Sequence, residues 1–420
     1  MEIKKSSLIV VCVIIIIFLN ERMFYMLEVG SSIHVMGLFL ITVTLFLVYI
    51  KSFFTKKFLF KGVILFYLLL NITSLILTNV EFGQPIFLAL MRYKYTFLAL
   101  LYFPLCIMIY KVGADRIKKL IVTITSLLSF IYISQSVLYP TFIFLKVNYA
   151  ERYEFTRFYD GAYFVTIGLF ITISYLYKNY NRYEKFKYYI AFLFQISYIV
   201  FVAQTRSSII PILIIIIFLL LSKLSVNNVL SYFKVAFFLF LGVIILAPYV
   251  TNILDSIKVD LNRTDGSAYI RIQAKEYMKE KIKENPILGL GLYHGEYEEG
   301  KYLNGSIYKY YAEDVGIIGF IFQYGFVGLL LYIVMIARFI YFTYRIFKHS
   351  REKSILYLIF CIYSCTQIPF SVPLNVDNNL IYLIILMVLI QLEYYEVRKI
   401  NNQNVRTVLP THYLRYINTD

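Results

Sequence analysis

Few side chains in this sequence could do chemistry, and they fit none of the common nucleotide or metal motifs. The 420 residues contain no glycine-rich phosphate loop, no Rossmann glycine pattern, no paired His and Cys metal spacing and no Gly-x-Ser-x-Gly elbow. All four cysteines, namely Cys12, Cys106, Cys361 and Cys365, fall in apolar segments, where neither disulfides nor zinc-like ligand sets are expected. We therefore predict no cofactor and no metal.

Among the residue types that could do chemistry, arginine is distinguished by its positions in the chain. In the topology derived below, six arginines lie in the few outer loops that carry any. They are Arg92, Arg152, Arg157, Arg206, Arg263 and Arg271. Outer loops normally carry little positive charge, so these positions are where we expect function. Other polar candidates are Tyr293, His294, Glu313 and Asp314, all in or at the end of one hydrophilic segment.

The elements that must position these residues are membrane-spanning helices. The chain is 60% hydrophobic and only 16% charged, too apolar for water-soluble domains of ordinary size, so the excess apolar surface must face lipid. Residues 235–250 are apolar on every face, whereas the strands of an outer-membrane barrel would alternate. We predict an all-α polytopic integral membrane protein, with residues 1–420 forming a single transmembrane domain.

About twelve apolar segments approach the roughly 20 residues that a spanning helix needs. They are 6–27, 33–50, 62–80, 95–110, 120–138, 163–177, 189–204, 207–221, 235–251, 315–337, 354–370 and 376–393. The first follows Lys4 and Lys5 like a signal peptide, but no small-residue cleavage site comes after it. We interpret it as an uncleaved first helix.

Lysine and arginine cluster in every second short loop, and such loops stay cytoplasmic. The clusters lie at 51–61, 111–119, 178–187, 223–234 and 338–353. This pattern predicts that both termini are cytoplasmic, with a cytoplasmic tail at 394–420. The net charge of +16 is scattered among these clusters, so it indicates membrane anchoring rather than nucleic-acid binding.

The same alternation places the only long hydrophilic loop, residues 252–314, on the extracytoplasmic side. Within it, Ser267 to Glu284 is rich in helix formers, and Asn285-Pro286 ends the pattern. A short surface helix is therefore predicted. It either lies in solvent or docks onto the membrane surface.

Three segments together resemble one family. Arg271 is followed by a helix and then Asn285-Pro286-Ile287-Leu288-Gly289-Leu290-Gly291; Thr205-Arg206-Ser207 opens an apolar span; and Glu313-Asp314 precedes Gly316-Ile317-Ile318-Gly319 and Tyr324-Gly325-Phe326-Val327-Gly328. Together with about twelve spans, they resemble the O-antigen ligase and polysaccharide polymerase (Wzy-like) superfamily.

The resemblance implies a bacterial cytoplasmic membrane enzyme acting on undecaprenyl-pyrophosphate-linked oligosaccharides. One substrate gives up its lipid pyrophosphate and the other offers a sugar hydroxyl, with no nucleotide or metal. Besides these substrates and membrane lipids, the resemblance allows a chain-length regulator and a flippase as partners.

The resemblance also suggests roles for the candidate residues. Arg206 and Arg271 would hold phosphate oxygens in a bidentate fork and stabilise the leaving group, although a span-end arginine can also be a simple interfacial anchor. Asp314 or Glu313 would accept the proton of the attacking hydroxyl, or else cap the next helix. Further substrate contacts are expected from Arg157, Arg152, Arg263, His294 and Tyr293, where the alternative for Tyr293 is a membrane-interface position.

The acidic pair Glu313-Asp314 favours one branch of the superfamily. Ligases typically carry His-Asn at this place, whereas acidic residues resemble the repeat-unit polymerases, so we predict a polymerase of surface polysaccharide such as O-antigen, capsule or exopolysaccharide. A ligase that transfers a finished glycan to an acceptor remains the alternative. A flippase for lipid-linked units is a rival of another class, but transporters tend to show two related halves, and no such similarity is evident here.

Overall fold

The computed structural model of the chain is a bundle of long apolar helices. It describes residues 2–27, 31–152, 155–178, 180–222, 267–294, 297, 303 and 310–408. Within these residues, six helices are long and apolar enough to cross a membrane, and four shorter apolar helices accompany them. The predicted all-α polytopic membrane fold is confirmed.

The described residues form a series of α-helices along the chain. They are Glu2–Asn20, Ser31–Val48, Ile50–Thr55, Lys61–Phe82, Ile86–Tyr93, Tyr102–Val112, Ala114–Leu138, Ala162–Tyr177, Arg182–Ser197, Arg206–Ser222, Ser267–Ile282, Ile317–Phe347, Arg351–Gln367 and Asp377–Val408. Short 3-10 or π-helical turns cover Arg22–Tyr25, Lys94–Leu101, Tyr198–Ala203 and Ala312–Val315. Strands Ala150–Arg152 and Phe155–Arg157 form a small antiparallel hairpin, which the sequence analysis did not predict.

Each predicted span except 235–251 overlaps one of these helices, and 235–251 lies outside the described residues. The largest difference is at the first span, predicted as 6–27. Its helix ends at Asn20, so Glu21 and Arg22 come after the spanning helix instead of inside it.

Helix Asp377–Val408 lies at the centre of the bundle. Every residue from Leu380 to Ile390 is buried, which explains why this stretch is apolar on all faces instead of on one stripe. Its neighbours supply aromatic contacts, such as the ring of Phe164 stacked on Tyr382 with 4.8 Å between centroids. The central helix thereby fixes the position of Tyr382, which contributes to the site described below.

The large loop forms a small second core on one end of the bundle. The predicted helix is present as Ser267–Ile282, and it buries Ala274 and Met278 against Leu290 and Phe322. We call this end of the bundle the large-loop face; it comprises helix Ser267–Ile282, segment 286–294 and the turn Ala312–Val315.

The loop is attached to the bundle where helix Ile317–Phe347 is interrupted at Gly325, which has φ 63° and ψ −164°. The interruption frees backbone groups, and segment 286–291 supplies their partners. The amide N–H groups of Phe326 and Val327 donate to the carbonyls of Pro286 and Ile287 at 2.9 and 3.2 Å. In return, the N–H groups of residues 290 and 291 donate to the carbonyls of residues 322 and 323 at 2.8 and 3.0 Å.

This backbone pairing requires glycine on both sides. A Cβ atom at Gly325 would lie 2.1 Å from the Ile287 carbonyl oxygen, and one at Gly289 would lie 2.6 Å from the Gln323 carbonyl carbon. Both glycines also have positive φ. Two of the glycine-containing segments that carry the family resemblance therefore contact each other directly.

We predict that Gly325→Ala lowers the thermal midpoint of the purified protein by several degrees. The backbone conformation of Gly325 alone costs a residue with a Cβ about 1–3 kcal/mol, and the clash with the Ile287 carbonyl adds to it. Gly62→Ala is the matched control, because a Cβ at this helical glycine meets nothing within 4 Å. Equal midpoints for the two variants, measured by unfolding in detergent, would contradict the proposed attachment.

Candidate active site

A cavity of about 340 Å³ opens beside the Thr205-Arg206-Ser207 motif. Five parts of the chain line it: the residues after the first helix, the residues before helix Ala162–Tyr177, the start of helix Arg206–Ser222, the end of helix Arg351–Gln367, and the segment and helix that follow. The cavity lies at the large-loop face, because its lining residue Gln367 immediately precedes Ile368, whose carbonyl accepts the Ile317 N–H at 2.9 Å.

Glu21 is the most enclosed acidic group of this cavity. The residue is 2% exposed, and its Oε1 accepts hydrogen bonds from the Tyr382 hydroxyl and from the Asn20 amide, the latter at 3.2 Å. Its Oε2 finds no hydrogen-bond partner among the described residues. Burial raises the pKa of Glu21 to about 7, against the opposing effect of the two hydrogen bonds.

The residues after Glu21 have an unusual backbone. Arg22, Met23, Phe24 and Tyr25 all have positive φ, between 46° and 58°, a conformation that side chains with a Cβ rarely adopt. The buried Tyr25 anchors this left-handed turn, and its carbonyl accepts the Lys146 N–H at 2.7 Å. The turn brings both Arg22 and Tyr25 to the cavity wall. Strained backbone of this kind is found preferentially at functional sites.

Asp160 adds a second carboxylate to the cavity lining. Partial burial raises its pKa, and the charge of Arg22 acts in the opposite direction. The hydroxyl of the buried Tyr198 donates to the Asp160 carbonyl at 2.5 Å, which fixes the loop before helix Ala162–Tyr177.

The Thr205-Arg206-Ser207 motif follows a second irregular backbone. Gln204 has φ 48° and separates the π-helical turn Tyr198–Ala203 from helix Arg206–Ser222. Thr205 and Ser208 both line the cavity, so the backbone of Arg206 begins its helix between two lining residues. The side chain of Arg206 lies outside the described part of the chain.

Arg157 lies close to the same cavity. Its Nε donates to the Ala203 carbonyl at 3.1 Å, and its guanidinium carbon lies 5.5 Å from the ring centroid of Tyr159, a lining residue. Arg152 belongs to the first strand of the hairpin, but its side chain is outside the described residues, as is the whole of Arg263. The structure thus brings Arg157 and the Arg206 backbone to one region.

A second group of polar residues attaches the large loop to the bundle. The buried Gln84 donates to the Leu292 carbonyl at 3.1 Å and accepts the His294 N–H at 2.6 Å. The Tyr93 hydroxyl donates to the Tyr293 carbonyl at 3.2 Å. Tyr293 itself is 6% exposed and packs edge-on against the Phe322 ring in the small core.

The remaining predicted residues lie around this second group. Glu313 is half-buried and forms an ion pair with Arg92 at 3.5 Å, whereas Asp314 is exposed. His294 is half-buried, and Arg271 is exposed on helix Ser267–Ile282. Their catalytic and binding roles stay predictions. Among the described residues that line the cavity, none of these four occurs.

Sequence reasoning missed Glu21, Arg22 and Asp160. A signal was present for the first two, because a charged pair inside a predicted span is expensive in lipid and marks a functional residue or a wrong boundary. Asp160 carried no comparable signal, since a single loop carboxylate is common. Within the described residues, no three His, Cys, Asp or Glu side chains come together as a metal-binding group.

Residues 190–333 match the family described as O-Antigen ligase. This match confirms the resemblance to the O-antigen polymerase and ligase superfamily that the motifs indicated. It spans the Thr205-Arg206-Ser207 motif, the large loop and the Gly325 interruption. No curated protein matches the chain significantly. This part of the chain is therefore similar to the O-Antigen ligase family, and the described residues around it include helices long and apolar enough to cross a membrane.

We predict that Gln84→Leu loosens the large loop locally. The variant loses both side-chain hydrogen bonds to residues 292–294, at about 0.5–1.5 kcal/mol each, so amide hydrogen exchange at His294 should accelerate by about 10- to 100-fold. Gln135→Leu is the matched control, because Gln135 likewise accepts the N–H groups of Phe144 and Leu145, at 2.7 and 2.9 Å. If exchange at 292–294 became faster in the control, or did not become faster in Gln84→Leu, the assignment of Gln84 as the attachment of the loop would be contradicted.

Proposed function

We propose that this protein polymerises a surface polysaccharide by joining undecaprenyl-pyrophosphate-linked oligosaccharide repeat units. The observation that carries the proposal is a polar cavity beside Thr205-Arg206-Ser207, within a chain whose residues 190–333 match the O-Antigen ligase family. A glycan transfer needs a cation for the pyrophosphate and a polar site for a sugar hydroxyl. The large-loop face offers residues of both kinds.

The reaction takes place at the outer side of the cytoplasmic membrane in this proposal. The basic loops alternate along the chain, and the positive-inside rule assigns those loops to the cytoplasm. The large-loop face then faces outward, with both termini inside. Lipid-linked oligosaccharides exposed on that side would reach the cavity and the large loop from the membrane surface.

Arginine is the residue type suited to the donor pyrophosphate. Its planar guanidinium binds two phosphate oxygens at once, and it stabilises the negative charge that grows on the leaving pyrophosphate. We assign this role to Arg206 and Arg271, with Arg157 as a further contact to the second pyrophosphate or the glycan. The proximity of Arg157 to the cavity residue Tyr159 supports the last assignment.

A ligase is the second candidate, and the family description favours it. The acidic pair Glu313-Asp314 favours the polymerase, because ligases of the superfamily typically have His-Asn there. The products distinguish the two. A polymerase yields a ladder of lengthening lipid-linked glycans, whereas a ligase yields one glycan on a different acceptor.

We predict that the purified protein in liposomes lengthens lipid-linked repeat units without nucleotide sugar and in the presence of a chelator. Gel electrophoresis of the glycans should show a ladder with repeat-unit spacing. Vesicles sorted by orientation test the sidedness, since substrate added outside should be used only where the large-loop face is outside. A single product on an added acceptor would identify a ligase, and loss of product on chelation would reveal a required metal.

We predict that Arg206→Lys and Arg271→Lys each reduce the elongation rate by about 10²-fold, the scale of losing one preorganised donor. Lysine keeps the charge but lacks the planar fork, so a mere interfacial anchor would tolerate the change. Arg345→Lys is the control, because Arg345 is exposed at the opposite end of helix Ile317–Phe347 from the large-loop face. Wild-type ladders from both test variants would show that the bidentate contacts of Arg206 and Arg271 are not part of the mechanism.

A further inference from the structure

Four buried side-chain oxygens around the cavity have no hydrogen-bond partner among the described residues. They are Glu21 Oε2, Tyr163 Oη, Thr205 Oγ1 and Ser364 Oγ. A buried polar group that stays unpaired destabilises the fold, and buried polar groups are almost always paired in folded proteins. All four belong to residues that line one cavity, so its wall has polar groups to offer a ligand.

The lining residues favour a neutral sugar over a phosphate. Glu21 and Asp160 place two carboxyl groups in the wall against the single cation Arg22, so the wall has no excess positive charge to attract an anionic ligand. A sugar hydroxyl can donate to a carboxylate and also donate to or accept from the hydroxyls of Tyr163, Thr205 and Ser364. At about 340 Å³, the cavity falls at the small end of ligand sites, which span roughly 300–1,000 Å³. It therefore suits the end of an oligosaccharide.

We propose that this cavity binds the acceptor sugar and that Glu21 is the catalytic residue that accepts the proton of its attacking hydroxyl. The inference rests on the proposed function, and it gives that function an acceptor site. The donor pyrophosphate then lies outside the cavity, next to the arginines that the proposed function assigns to it.

The step balances without an added reagent. The acceptor hydroxyl oxygen attacks the anomeric carbon of the donor, and a new glycosidic bond forms. The bond between that carbon and the pyrophosphate oxygen breaks, and undecaprenyl pyrophosphate leaves with the electron pair. The hydroxyl proton passes to Glu21 Oε2 and later to water.

The surroundings of Glu21 suit a base better than those of the two carboxylates predicted from sequence. Its Oε1 is held by Tyr382 and Asn20, which leaves Oε2 for the substrate. A pKa of about 7 is close to the value at which a base accepts protons most efficiently at neutral pH. By contrast, Asp314 is exposed, and Glu313 pairs with Arg92.

The test compares Glu21→Gln with the wild type in the liposome elongation assay. The amide keeps the shape but cannot take a proton, so the elongation rate should fall by about 10²- to 10⁴-fold at unchanged protein level and thermal midpoint. Glu81→Gln is the matched control, because Glu81 is an exposed carboxylate that accepts the Asn285 amide at 3.1 Å and does not line the cavity. It should keep the wild-type rate. Asp314→Asn serves as the rival base variant.

A second variant, Asp160→Asn, gives a result that would not be expected if Glu21 had only a structural role. The charge of Asp160 raises the pKa of Glu21, while Arg22, Tyr382 and Asn20 lower it. Removing that charge should lower the pKa, so the acidic limb of the rate profile should move to lower pH. This shift decides the matter if Glu21→Gln fails to fold.

The outcomes separate the two proposals. If the wild-type chain transfers no glycan, the proposed function fails and the acceptor site fails with it. If the wild type elongates glycans and Glu21→Gln does so at the same rate, only the acceptor site is overturned. Loss of activity in Asp314→Asn but not in Glu21→Gln would likewise move the base to the large loop.

Discussion

Backbone hydrogen-bonding groups inside a membrane protein must find partners within the protein, and the large-loop face depends on this constraint. Helix Ile317–Phe347 breaks at Gly325, and lipid cannot satisfy the groups that the break releases. Segment 286–291 satisfies them by pairing with residues 322–327. The loop is consequently part of the bundle, and its own small core of Ala274, Met278 and neighbouring residues covers the junction.

The same face has two further departures from regular helix. The left-handed turn Arg22–Tyr25 and the single residue Gln204 both have positive φ, and both adjoin the cavity. A regular helix would project its side chains at fixed intervals around its axis. Ending the helix before Glu21 and before Thr205 instead places a carboxylate and a hydroxyl at the wall of one cavity. The strain is local, and the surrounding buried aromatic residues Tyr25 and Tyr198 hold it in place.

The sequence was sufficient for the features that depend on local composition. Hydropathy located the apolar helices among the described residues, and helix formers followed by Asn285-Pro286 located helix Ser267–Ile282, because lipid and backbone chemistry act on neighbouring residues. It was insufficient where distant segments meet. Nothing local indicated that Glu21 would contact Tyr382, 361 residues away, or that Gly289 would pack beside Gln323. The hairpin at 150–157 was missed because its strands are only three residues long.

The attachment at Gly325 also determines which segments of the chain can be exchanged between related proteins. Residues 286–291 and 322–327 form one paired unit, although the predicted loop boundary at 314 falls between them. A chimera that replaced only residues 252–314 would join one parent's glycines to the other parent's interrupted helix. We expect the segment that can be exchanged between related proteins to run from the start of the loop through residue 327. Recombination then preserves the backbone pairing only when both paired segments come from the same parent.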